Sequence, residues 1–240
     1  MSLSNLPKIK QPIYTHYLTG LKKEVKFRPF TVAEQKILLL AKEEKSKEAI
    51  LNSMEQVLNN CILSKDVNIL DLPYFDIEDI FVRIRAKSVG EIIETKYAYD
   101  YEDEDGNKKT DYILIKINTD DIKIKNVQKE NKIIVQDDPV IGIKMKMPTL
   151  QIYKEMENLD DETEAMFKCI DFIYDETKTY SDFTKKDLEE FIDDLDALAY
   201  KKFEKFFNDM PHLYYEINVR LPKLDKEEKI VFNSLSDFFF

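Results

Sequence analysis

The feature that most restricts what this chain can fold into is a hydrophobic period that changes in blocks. Apolar residues alternate between Ile13 and Phe30, recur at three and four from about 31 to 87, and alternate again from 91 to 147. A helical period returns from 149 to 208, and alternation follows from 213. A period of two lines one face of a strand, whereas a period near 3.6 lines one stripe of a helix. Strands and helices kept in separate blocks favour α+β over a doubly wound parallel sheet. The expected fold is α+β: an N-terminal hairpin plus helices, central antiparallel strands, and a C-terminal helical bundle closed by a terminal β-hairpin. Residues 1–148 read as an N-terminal α+β domain and 149–240 as a helical domain with the C-terminal hairpin, in one core or two.

Local signals place the elements. A hairpin runs from Ile13 to Leu18 and back through Val25, Phe27 and Phe30, with Gly20 expected to supply a positive φ at the reversal. Pro29 has no N–H and ends the pairing. Thr31-Val32-Ala33-Glu34 is a capping box that opens a helix through Ile37, Leu38, Leu40 and Ala41. Helices follow at 46–63 and, from Asp76, at 77–87. Ile93, Tyr97, Tyr99 and Tyr101 share one face of a strand that turns near Gly106 and returns over 110–117. Short strands are expected at 122–128, 132–136 and 140–147, and helices at 149–158, 161–175, 185–194 and 197–208. Segments 213–221 and 229–233 form the last hairpin, around Asp225 to Glu228.

The net charge of −11 is concentrated: from Asn158 to Asp196, fourteen acids face four bases. Such a stretch repels phosphate, which needs clustered Lys and Arg to release counterions, so independent nucleic-acid binding is not expected. It serves either solubility on a helical face or attraction of a basic partner protein. Cys61 and Cys169 form no CxxC and fall on apolar helical stripes, which makes them packing residues of a reducing compartment. The N-terminal MSLSNLPKIKQPIY lacks an apolar signal core, and no run of 18 apolar residues exists. Neither export nor a membrane span is expected.

Most catalytic chemistry lacks its parts. Gly20, Gly90, Gly106 and Gly142 stand alone, so no glycine-rich phosphate loop forms. A calcium loop ending its first half at Gly106 needs oxygen ligands where Tyr101 and Tyr112 stand. His16 and His212 have no second ligand at metal spacing. A carboxylate-based cell-wall hydrolase is a remote alternative, but there is no tryptophan to line a sugar platform. No cofactor or metal is expected, and the chain is not expected to be an enzyme.

Three stretches invite a docking or folding role. Phe27, Arg28, Pro29 and Phe30 join the hairpin to the capped helix, with both aromatics expected in the core and Arg28 expected to point outward. Arg83, Arg85, Lys87 and Ser88 lie at a helix C-terminus that Gly90 stops in a left-handed conformation. Those bases serve the helix dipole or oppose the acidic segment. Phe238, Phe239 and Phe240 end the chain and either pack on it or insert into a partner. The run FRPFTVAEQKILLLA (27–41), VLNNCI (57–62), LPYFDIEDIFVRIRAKSVGE (72–91) and KFFNDMPHLYYEI with VFNSLSDFF resembles the baseplate hub assembly proteins of T-even-like tailed phages, over about 7–118 and 198–239. The resemblance implies a non-enzymatic baseplate hub assembly factor that docks to other hub or tail proteins. The alternative is a structural hub subunit retained in the virion. It implies a place in the host cytoplasm during assembly or in the tail baseplate, and leaves the oligomeric state open. Relatives with cysteine pairs in the last hairpin suggest a zinc ribbon; Leu221-Pro222-Lys223-Leu224 has no cysteine here.

Overall fold

The computed structural model describes residue 7 and residues 9–127, 131–156 and 162–239, and it mixes helices with antiparallel sheets as an α+β chain should. Strands β1 (Tyr14–Leu18) and β2 (Lys23–Phe27) form the first hairpin, with Tyr14 opposite Phe27. The positive φ in its turn belongs to Lys22, not Gly20. Gly20 is needed for another reason: a Cβ there would lie 2.7 Å from both the Asp76 carboxylate and the Phe75 ring.

Helix α1 (Val32–Glu44) opens on the expected capping box, in which Glu34 accepts from the Thr31 N–H at 2.6 Å. Helix α2 (Lys47–Cys61) starts at Ser46, whose side chain accepts from the Ala49 amide, and buries Met54, Val57, Leu58 and Cys61. Helix α3 (Tyr74–Val89) begins ahead of the expected Asp76, because Pro73 at its N-cap needs no N–H partner. It is buried around its circumference, by Ile77, Ile80, Val82 and Ile84 but also by Asp76, Glu78 and Asp79.

Strands β3 (Ile92–Glu102) and β4 (Lys108–Asn118) pair in the expected parity, setting Ile93 against Ile117 and Tyr97 against Ile113 on the core side. The Asp103 carboxylate accepts from the amides of Asp105 and Asn107 and closes their turn, with Gly106 at φ +79°. Strand β5 (Lys123–Lys125) is shorter than the strand expected at 122–128, of which residue 128 lies outside the described residues. Strands β6 (Lys132–Asp137), β7 (Val140–Met145), β8 (Ile170–Asp175) and β9 (Thr179–Tyr180) form a four-stranded antiparallel sheet in that order. Helices α4 (Leu150–Met156) and α5 (Glu162–Phe167) lie between β7 and β8, and α6 (Lys185–Asp193) and α7 (Ala197–Asn208) follow β9. Strands β10 (His212–Leu221) and β11 (Lys226–Phe232), then α8 (Leu235–Phe239), complete the chain.

The helix expected over 161–175 stops at Phe167, residue 161 lying outside the described residues, and its second half is strand β8. Ala165, Cys169 and Ile173 imitate a helical stripe, but Ile170, Phe172, Ile173 and Tyr174 are strand formers and the open edge of β7 pairs with them. The C-terminal helical bundle closed by a hairpin is likewise corrected. Buried residues fall into two clusters. One joins the first hairpin, α2, α3 and β3–β4 to Leu213, Ile230, Phe232, Leu235 and Phe238. The other comprises β7, β8, α6 and α7. The terminal hairpin completes the first cluster because β5 offers β10 a free edge, with Leu213 opposite Ile124. Its turn spans Pro222 to Asp225, ahead of the expected Asp225 to Glu228, since β11 already begins at Lys226.

Candidate functional site

Of the motif residues singled out by sequence, Phe27 to Phe30 meet Ser88 at one joint. Phe27 is buried against Tyr14, ring centroids 5.7 Å apart, and Phe30 packs on the same core. Arg28 turns inward, against expectation: Nη2 donates to Glu34 Oε1 at 2.6 Å and Nη1 to Oε2 at 3.0 Å. Glu34 is only 5% exposed, and a buried carboxylate without a partner is costly, so the guanidinium is drawn onto it. Arg28 holds the Glu34 carboxyl well below the usual range, at about 2. After Pro29, the Phe30 N–H donates to Ser88 Oγ at 2.9 Å, and Ser88 donates to the Ile84 carbonyl at 2.6 Å. The arrangement locks the hairpin to the last turns of α3.

The bases of α3 do not oppose the acidic segment. Arg83 donates to the carbonyls of Thr119 and Ile122 at 2.9 and 3.0 Å and to Asp79 at 3.1 Å. Arg85 reaches the Gly90 carbonyl at 2.7 Å, and Lys87 pairs with Glu91 at 2.6 Å. Each is closer to the carbonyls and acids of the chain that follows α3, which captures it locally. Gly90 has the expected positive φ, +118°, but with ψ 157° it is extended, not left-handed helical. Phe238 is 3% exposed and stacks on Phe232 at 5.4 Å, so it belongs to the core. The side chain of Phe239 and all of Phe240 lie outside the described residues.

Sequence reading missed the three buried carboxylates of α3. Asp79 lies 2.6 Å from His16 Nε2 and also bonds Arg83. Asp76 accepts from the amides of Gly20 and Leu21 at 2.9 and 2.7 Å, while burial raises its pKa. Glu78, 5% exposed, accepts from the Leu235 amide at 3.2 Å, and burial pushes its carboxyl up to about 7. A signal was available: in FDIEDIF, apolar residues stand on every side of the acids, and a helix apolar all round leaves its polar residues no solvent.

The open surface lies elsewhere. Between β6–β7 and α6–α7 runs a cleft of roughly 640 Å³. Val135, Ile141, Phe191, Leu195 and Leu198 give it an apolar lining, and Asp137, Asp138, Asp194 and Asp196 stand at its exposed rim. Leu198 is 71% exposed. Lys202, the one lysine among the cleft's described lining residues, donates to the Ile134 carbonyl at 2.9 Å. Asp196 also caps α7, accepting from the Leu198 and Ala199 amides. The described acids of that stretch are therefore not one helical face but are divided among helices α5 and α6, strand β8, turns and caps, Asp160 and Asp161 lying outside the described residues. Helix α1 also keeps Val32, Leu39 and Leu40 exposed. Both cysteines are buried, and desolvation pushes Cys61 to about 12 and Cys169 to about 11, which suits packing. Among the described residues no cluster of His, Cys, Asp or Glu is placed to hold a metal, and no helix is long and apolar enough to cross a membrane.

A family model described as T4 bacteriophage base plate protein matches residues 11–240. The chain belongs to that family. No curated protein and no solved structure matches it. As a T4-type base plate protein it belongs with the tail baseplate of the phage particle and works among other base plate proteins. The match takes in the Arg28–Glu34 joint, the buried α3 acids and the acidic cleft alike.

Proposed function

We propose that this base plate protein acts without catalysis, as a hub assembly factor that docks a basic, apolar-anchored segment of another base plate protein. The observation that carries the reading is the cleft between β6–β7 and α6–α7, where an exposed apolar lining including Leu198 is rimmed by four aspartates. An apolar anchor gains by leaving water, and basic flanks match the rim, which favours register and speeds encounter. The same rim repels phosphate, which argues for a protein occupant over nucleic acid. The bases that would have filled this role from within the chain are held at α3.

The test is association with purified base plate proteins of the same phage, measured for wild type, Leu198→Asp and Asp194→Lys. Binding to one of them, weakened at least about tenfold by either substitution and slowed by salt, is the expected result. Unchanged affinity in both variants sinks the cleft as the dock and moves attention to α1 or to a second copy. Mass spectrometry of purified virions then separates the two hub roles: absence fits a transient factor, and stoichiometric presence fits a retained subunit.

A further inference from the structure

We infer that the cavity where α3 meets α4, the end of α7, β10 and the loop before α8 is a receptor for a monoalkylammonium group, the chemistry of a lysine side chain or a simple primary amine. The cavity holds roughly 350 Å³, the low end of ligand-sized sites. Its walls bring Tyr74, Phe75, Tyr153 and Phe207 together with Met147 and Met210. Tyr74 and Tyr153 are stacked at 3.9 Å. Aromatic faces attract a cation, and thioethers adapt to an alkyl stem.

The one carboxylate among the described residues of that wall is Glu78, almost wholly buried. Among the described residues lining the cavity there is no lysine or arginine to neutralise it. The Leu235 amide donates to it at 3.2 Å and the Leu213 amide also stabilises it, but uncharged amides leave the buried carboxylate without a counter-ion. His212, also in the wall, sets Nδ1 against the Met210 carbonyl at 2.9 Å, so in its neutral form Nε2 is a further acceptor. A single buried carboxylate neutralises one ammonium. A diamine would bring a second charge into aromatic surroundings, so the site should select monoamines.

The titratable groups that act on Glu78 are Tyr153 from α4 and Asp237 from α8, and His212 from β10 shares the cavity wall. Asp76 and Asp79, on its own helix, turn instead to the Gly20 and Leu21 amides and to His16 and Arg83. Asp237 is occupied by the amides of Asn233 and Ser234 at 2.7 and 3.0 Å. Because burial sets the Glu78 carboxyl at about 7, a cation must displace its proton at lower pH. Binding should then release protons and weaken about tenfold between pH 8 and pH 6.

Calorimetry on the full chain with Nα-acetyl-lysine methylamide tests this, beside n-butylamine, putrescine and the uncharged Nα-acetyl-norleucine methylamide. The expected result is binding of both monoamines, proton release near pH 7, and at least about a tenfold loss in Glu78→Gln, which keeps the amide bond to Leu235. Tighter binding of the lysine derivative assigns the site to a protein side chain, and equal binding assigns it to free amines. Norleucine binding as well as lysine, or putrescine binding best, overturns the inference even if the Glu78→Gln variant misfolds. So does a folded Glu78→Gln variant that binds like wild type. The α6–α7 cleft plays no part in these measurements, so the two readings fail separately.

Discussion

Glu34 and Glu78 are each 5% exposed, and their carboxyls move in opposite directions, to about 2 and to about 7. The first meets a guanidinium head-on, whereas the second meets backbone amide on the wall of a cavity. Asp76 accepts from two amide donors, and burial raises its pKa. Low exposure by itself therefore does not set the role: desolvation dominates at Glu78, the guanidinium at Glu34. A buried charge with its counter-charge supplied in the chain serves the fold. One without it costs stability that folding does not recover, and is the place to look for a ligand.

The largest effect that would break this contrast is loss of the Glu34 partner. Arg28→Ala strands a buried carboxylate and is expected to lower stability by about 3–4 kcal/mol in urea unfolding at pH 7. A loss under about 1 kcal/mol would mean the pair is only a surface bridge. The Glu34 carboxyl is depressed from 4.5, so its contribution is present above pH 4.5 and disappears as pH falls toward 2.

Glu78 carries the opposite sign. Its carboxyl is raised, so the folded chain holds the proton more tightly than the unfolded one. The penalty is absent below pH 4.5 and complete above about 7. Glu78→Gln should therefore match wild type near pH 4.5 and exceed it by up to about 3 kcal/mol at pH 8, read from the difference between their melting curves. A variant less stable than wild type at pH 8 would show that Glu78 already has its counter-charge. The smallest effect concerns Asp76. Gly20→Ala pushes a Cβ against Asp76 and Phe75 and should cost about 1–3 kcal/mol in the same assay, with Asp76 losing its amide donors. A neutral outcome would show that the turn can retreat without loss.

Much of the fold was legible locally. The capping box at Thr31, the helix closing on Cys61 and the shared face of Ile93, Tyr97 and Tyr99 follow from spacing that the chain reads within one or two turns of itself. The site was less legible. Arg28 was expected to face water because Glu34 looked like a cap only, and the same carboxylate turns out to serve both Thr31 and Arg28. The acids of α3 were visible as letters, but not as buried groups.

The residues by themselves determined most element types, the Thr31 cap, the separation of charge and the absence of glycine-rich phosphate loops, because each depends on neighbours a few positions apart. Only the tertiary structure decided that 170–175 pairs with β7, that the last hairpin joins the first core, and which acids find partners. Those outcomes rest on groups far apart in the chain: the Leu235 amide and Glu78 are 157 residues apart. Periodicity reports which side of an element is apolar. What covers that side, and whether a charge beneath it is answered, is settled by the competition among all available edges and faces when the chain closes.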